Sequence, residues 1–266
     1  MYPMKFHRIW AVILHYLYTQ KRSIPRTMDI FYWPTLNILL WGFLSVFLQT
    51  QQQASSSAII AIIMGALILW MLFNRAQQDI SIHFLEDVWN RNLLNLFVSP
   101  LTTTEYVFSF IILSVFKIVV VGGVMTVLTL LLYHFNIFSF GIALVPFILN
   151  LLFFGWTVGL LIMTLIMRWG TDAQILAFSF AFLLQPFSAV FYPVSVLPKA
   201  LQFISYLFPS TYVFEGMRAV IATGAISPHL MIQSLIGNIL YLALAIMVFH
   251  HVFKKVLEQG LLTKLE

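Results

Sequence analysis

The sequence predicts an all-α polytopic membrane protein: six transmembrane helices, an N-terminal interfacial helix, a cytoplasmic amphipathic helix and a re-entrant helical pair before the last span. Three observations predict it. Residues 30–48, 55–74, 173–196 and 230–253 are runs without Lys, Arg, Asp or Glu, and a helix crosses the hydrocarbon core with roughly 20 apolar residues. Of 266 residues, 61% are hydrophobic and 9% charged, against about 25% charged in a soluble domain, so lipid must cover much of the exterior. Nearly all Lys and Arg fall in alternate connectors.

The elements follow in order. Residues 4–20 superficially look like a signal peptide, with Lys5 and Arg8 before a short apolar run. Gln20, Lys21 and Arg22 follow instead of a small-residue cleavage site. The run is too short to span and carries His15, Tyr16 and Tyr18, so it is expected to lie in the interface as an amphipathic helix. Spans are expected at 30–48, 55–74, 103–133, 137–167, 172–192 and 230–254. The third carries a lone deep charge, Lys117, and Pro146 is available to tilt or kink the fourth. Thr102-x-x-Glu105 and Thr171-x-x-Gln174 fit the capping box before the third and fifth spans. The whole is expected to form one membrane domain.

Lys and Arg distribution sets the expected orientation. Lys5, Arg8, Lys21, Arg22, Arg26, Arg75, Arg91, Arg168, Lys254, Lys255 and Lys264 fall on one side, and Lys199 and Arg218 on the other. The bias places both termini in the cytoplasm. The connectors 49–54 and 134–136 are then external and uncharged. The net charge of +5 matches anionic headgroups and calls for no nucleic acid.

Two connectors stand out. Between the second and third spans, Leu85, Val88, Trp89, Leu93, Leu96 and Phe97 recur at three- and four-residue steps, opposite Glu86, Asp87, Asn90 and Arg91. This is an amphipathic helix at 84–98, stopped by Pro100. It either rests on the membrane or fits a groove in a soluble partner. Between the fifth and sixth spans, Pro186, Pro193, Pro198 and Pro209 punctuate apolar stretches too short to span. Residues 194–225 therefore read as two short helices that dip into the outer leaflet and return. Non-helical backbone at that depth needs protein or water around it. Glu215 and Arg218, three apart, pair on one helical face, either as an interface ion pair or as a substrate contact.

A membrane protein of this kind serves transport or intramembrane chemistry. No cysteine is present, which excludes disulfides, thiolate metal sites and a thiol nucleophile. No HExxH, GxSxG or GxxxxGK[ST] stretch occurs, so no hydrolase chemistry and no cofactor are expected, and any ATPase would be another polypeptide. His250-His251 reads as a helix end, not a metal site. An ion-coupled secondary transporter or channel is the alternative. It would place Asp or Glu inside its spans, and none is expected deep in spans one to four or six. Lys117 either faces a pathway or caps carbonyls of a neighbouring helix. Gly155-x-x-x-Gly159 permits close helix approach, expected within one bundle.

In order and spacing, these features resemble the membrane subunit of type-two ABC exporters, permeases for polysaccharides, lipid-linked glycans, lipo-oligosaccharides and anthracycline-like drugs. The resemblance rests on the N-terminal helix, Trp33-Pro34 at the first span, and the acidic/Arg helix with Leu93-Leu94. It continues through Ser99-Pro100-Leu101-Thr102 and Glu105, the run from Phe191 through Tyr192, Pro193, Val194 and Ser195 to Leu197-Pro198, and Pro209-x-Thr211-Tyr212-x-x-Glu215-x-x-Arg218. It departs at Asn92-Leu93, where the family often has Gly-Thr. The resemblance implies that 84–98 is a coupling helix, with Glu86, Asp87, Asn90 and Arg91 at the interface with a separate ABC ATPase present in two copies. It implies that Tyr192, Pro193, Pro198, Pro209, Glu215 and Arg218 belong to an extracellular gate. It also implies a homodimer in the bacterial cytoplasmic (inner) membrane, exporting a hydrophobic or amphipathic substrate.

Overall fold

The computed structural model describes residues 4–51 and 58–259. The start of the predicted second span (55–57), half of the 49–54 connector (52–54) and Lys264 lie outside those residues. The described chain is helical: α1 Phe6–Arg22, α2 Ile24–Gln51, α3 Ala58–Trp89, α4 Leu93–Val98, α5 Thr103–Tyr133, α6 Leu144–Trp169, α7 Gln174–Phe187, α8 Lys199–Ser205, α9 Pro209–Thr223 and α10 Pro228–Glu258. Among the described residues, five helical stretches are long and apolar enough to cross a membrane: Ile24–Thr50, Ala58–Trp89, Thr103–Tyr133, Ile137–Phe187 and Pro228–Val256. The fourth, 51 residues long, covers both the fourth and fifth spans of the sequence reading. It turns at Gly170, whose φ of 64° suits a residue without a Cβ.

α3 and α6 form the centre, with α2 and α5 beside α3 and with α9 and α10 beside α6. The reason is the pair of small residues on α6. A Cβ at Gly155 would stand 2.7 Å from Ala76 Cβ and 2.8 Å from the Phe73 carbonyl, and one at Gly159 would stand 2.7 Å from the Gln77 carbonyl. The glycine pair thus packs inside one bundle, as expected. Gly155→Ala should cost about 1–3 kcal/mol through overpacking and lower the unfolding temperature by several degrees. Gly123→Ala, with no neighbour within 4 Å, should leave it unchanged.

Several expected boundaries move. α3 does not end at Asn74 but runs 32 residues to Trp89, about 48 Å at 1.5 Å per residue, well beyond a hydrocarbon core of about 30 Å. The predicted helix at 84–98 is therefore two pieces: the end of α3 and the short α4. The fourth span begins with a 3₁₀ turn, Ile137–Ala143, and α6 starts only at Leu144. Pro146 thus sits in the first helical turn, where its missing N–H costs nothing, and does not kink the helix. α7 has 14 residues, about 21 Å. It ends at Phe187, just beyond Pro186, short of the expected 192, because Ala189 turns the chain at φ 49°.

Of the two capping boxes, one forms. The Glu105 N–H donates to Thr102 Oγ1 at 3.2 Å and the Thr102 N–H to Glu105 Oε2 at 2.8 Å. The second does not. A 3₁₀ turn, Gly170–Ala173, leads into α7, so Ala173 takes the cap position and Thr171 falls inside the turn. Gln174 instead accepts from Trp89 Nε1 at 3.3 Å, tying α7 to the end of α3.

Candidate functional site

α1 carries Ile9, Val12, Ile13 and Tyr16 on one buried stripe, the three- and four-residue spacing of a helix face. The stripe packs on α5 and α2, and so lies on protein rather than lipid. Phe6, Trp10 and Tyr18 are exposed on the remainder of the helix. Its N-terminal end is fastened to the start of α5. The Lys5 N–H donates to Glu105 Oε1 at 2.7 Å, Arg8 donates to the Pro100 carbonyl, and Arg8 lies 3.6 Å from Glu105 Oε2.

α3 ends in a Schellman motif. The Asn92 N–H reaches the Asp87 carbonyl at 3.0 Å and the Arg91 N–H the Val88 carbonyl at 3.1 Å. Arg91 occupies the left-handed position, φ 52°, where glycine is usual. The elbow α3–α4–α5 presents Asn90, Arg91 and Val98 outward, Val98 at 85% exposed.

Directly behind that elbow lies Asp87, 2% exposed. Its Oδ2 accepts from the phenols of both Tyr16 and Tyr106, and its Oδ1 from Asn92 Nδ2 at 3.5 Å. One carboxylate therefore joins α1, the end of α3, the elbow and α5. Burial, with the Asp87 charge beside it, pushes the Tyr16 phenol well above its usual range, so it remains a donor at any physiological pH. Of the residues expected at a partner surface, Asn90 and Arg91 are outside and Asp87 is inside. Glu86 is occupied by Arg26 at 3.3 Å and His83 at 3.4 Å. The helical period explains this placement: α3 continues unbroken through 84–89, so Asp87 falls on the face that α1 and α5 cover.

A second polar chain runs inward from Glu86. Lys117 Nζ lies 3.1 Å from Asp79 Oδ1 and 3.0 Å from His83 Nε2. An ammonium has only protons to give, so Nε2 accepts and the His83 proton sits on Nδ1, facing Glu86 Oε2. The sequence Arg26–Glu86–His83–Lys117–Asp79 is thus continuous across α2, α3 and α5. Lys117 is buried, with a carboxylate partner. Sequence reasoning missed Asp79, His83, Tyr16 and Tyr106. The available signal was weak: Asp79, His83 and Glu86 stand at helical steps, but only once α3 is carried past Asn74.

At the other end, Glu215 and Arg218 are 3.1 Å apart. Glu215 Oε1 accepts from the Val194 N–H at 2.7 Å, and Arg218 donates to the Val190 carbonyl at 3.2 Å. The pair holds the chain between α7 and α8 against α9. Tyr192 donates to the Pro186 carbonyl at 2.7 Å. Pro193 and Pro198 precede the 3₁₀ turn Val194–Val196 and α8, and Pro209 opens α9. Each proline fills a position that needs no N–H. Between α5, α6 and α10 lies an apolar cavity of about 310 Å³, lined by Val107, Phe108, Trp156, Ile246 and Phe249 among others.

These features define a class: a multi-pass helical membrane protein with a braced, outward-facing elbow on one side of its bundle. The chain belongs to the ABC-2 type transporter family, whose model matches residues 12–222. It is a transport permease component, and membrane subunits of this family work with ABC ATPase partners, generally as dimers. No curated protein matches the chain.

Proposed function

We propose that this chain is the six-span permease of an ATP-driven exporter, working as a homodimer with two copies of a separate ABC ATPase in a bacterial inner membrane, both termini cytoplasmic. α4 and the Asn90–Arg91 turn dock on the ATPase. α1 lies at the cytoplasmic interface, and the α8–α9 pair forms the external gate. The observation that carries this reading is the elbow. A membrane helix extends past the bilayer, ends in an exposed turn, and is braced from behind by Asp87, so force applied at the turn reaches α1, α3 and α5 together. Exposed aromatic and aliphatic rows on α2 (Phe31, Trp33, Phe43, Phe47) and α7 (Ile175, Phe178, Phe182) suit a seam between two copies and the passage of a hydrophobic or amphipathic molecule.

The test separates charge from backbone. Arg91→Asn removes the guanidinium but keeps a residue that tolerates φ > 0. It is expected to lower export at least fivefold in vesicles holding permease and ATPase, with folding unchanged and ATP hydrolysis retained. Unchanged export would exclude the elbow as the coupling surface. An ion-coupled carrier is favoured by one observation, the Asp79–His83–Lys117 cluster. Its charges are paired with one another, and transport by the purified chain with no ATPase present would be needed to prefer it.

A further inference from the structure

The C-terminal ends of α6 and α10 lie side by side and enclose a second cavity, about 230 Å³, lined by Arg168, Trp169, Val252, Lys255, Val256 and Gln259. Val252 and Val256 are buried and form the floor, while Arg168, Lys255 and Gln259 are exposed around it. Trp169 is 55% exposed, and the Arg168 guanidinium carbon stands 5.8 Å from its ring centroid. Tryptophan at the end of a membrane helix marks headgroup level.

We propose that this cleft binds the headgroup of an anionic membrane phospholipid, its phosphodiester between Arg168 and Lys255. The charges of the cleft complement such a headgroup. Among the described residues, Arg8, Arg26, Arg75, Lys117, Arg218 and Lys254 each lie within 4.0 Å of a carboxylate. Among the described residues Lys5, Lys21, Arg22, Arg91, Arg168, Lys199 and Lys255 have no such partner, and of these Arg168 and Lys255 share this one cleft, although Asp172 and Glu258 are near in sequence. Glu258 is engaged by Lys254 at 3.8 Å. The ends of two helices contribute roughly half a negative charge each. Against two cations that leaves a net charge of about +1, the complement of one phosphodiester. Arginine supplies a planar fork for phosphate oxygens and lysine a point charge. Gln259 offers an amide donor at the rim. Basic pockets between membrane helices are a recognised setting for anionic headgroups, and the buried valine floor continues into the apolar part of α10, where the acyl chains would lie. A free phosphate would use the same two cations but gain nothing from the floor or from the depth of the bilayer.

The test uses the full chain, purified in mild detergent, delipidated, and titrated with phosphatidylglycerol or phosphatidylcholine while bound lipid is counted by native mass spectrometry. The expected result is one phosphatidylglycerol held at least fivefold more tightly than phosphatidylcholine. Arg168→Gln/Lys255→Gln should lose that preference, Arg168→Lys should keep part of it, and Arg22→Gln, an exposed cation elsewhere, should keep all of it. If the double variant does not fold, Lys255→Gln alone serves, because its side chain is exposed. Equal retention of phosphatidylglycerol by wild type and variant overturns the proposal. So does displacement of the lipid by millimolar inorganic phosphate, which would mark a phosphate site instead.

Discussion

Lys117→Met is expected to be among the most damaging single substitutions in the bundle. The Lys117 ammonium is the ion partner of Asp79, 3.1 Å away, and the other carboxylate oxygen, Asp79 Oδ2, already lacks a hydrogen-bond partner among the described residues. Removing the cation leaves a buried carboxylate uncompensated and takes away the donor to His83 Nε2. Breaking a buried pair in this way costs about 3–5 kcal/mol, whereas replacing both partners by apolar residues of similar volume is often neutral or better. Lys117→Met should therefore give little monodisperse protein on size-exclusion chromatography. Asp79→Leu/Lys117→Met should recover most of it. If Lys117→Met folds like the wild type and only transport is lost, the lysine serves the substrate and not the fold.

Asp87→Ala should have the next largest effect, and of a different kind. It takes the shared carboxylate acceptor from two buried phenols, Tyr16 and Tyr106, on helices α1 and α5. A hydrogen bond to a charged group is worth about 1.5–3 kcal/mol, so losing two costs roughly 2–5 kcal/mol of stability, read as a lowered unfolding temperature. Proteolysis should open first at the α1–α2 junction around Ser23, because α1 loses its hydrogen bond to α3 while its ties to Glu105 remain. Tyr16→Phe, which removes one donor and leaves the carboxylate with Tyr106 and Asn92, should cost less than half as much. The contrast with Arg91→Asn is the useful one. The inward residue should change stability and the outward one coupling, and equal thermal shifts for both would contradict the assignment of one side to brace and the other to docking.

Much of the fold was legible because hydropathy and helix period are local properties. The uncharged runs located the membrane helices, since a bilayer demands apolar length whatever the packing. The Thr102–Glu105 box and the proline positions around 193–209 were readable because a cap or a proline acts on its own turn. The glycine pair at 155 and 159 announced a close approach without naming its partner.

What could not be read were quantities that depend on contacts distant in sequence. The Thr171–Gln174 box looked as good as the one that forms, but the turn at Gly170 placed a different residue at the cap. Glu86, Asp87 and Arg91 looked alike as charges on one polar face. Only the folded chain separates them, because α1 arrives from 71 residues earlier to cover Asp87 with Tyr16. Lys117 looked solitary until α3 extended far enough to set Asp79 opposite it. The sequence by itself determined that this chain is a polytopic membrane protein of the type-two ABC class, with its amphipathic connector and proline-rich segment in the right order. The tertiary structure decided which charges face outward and which hold helices together. A buried charge is defined by what surrounds it, and in this bundle those surroundings come from other helices.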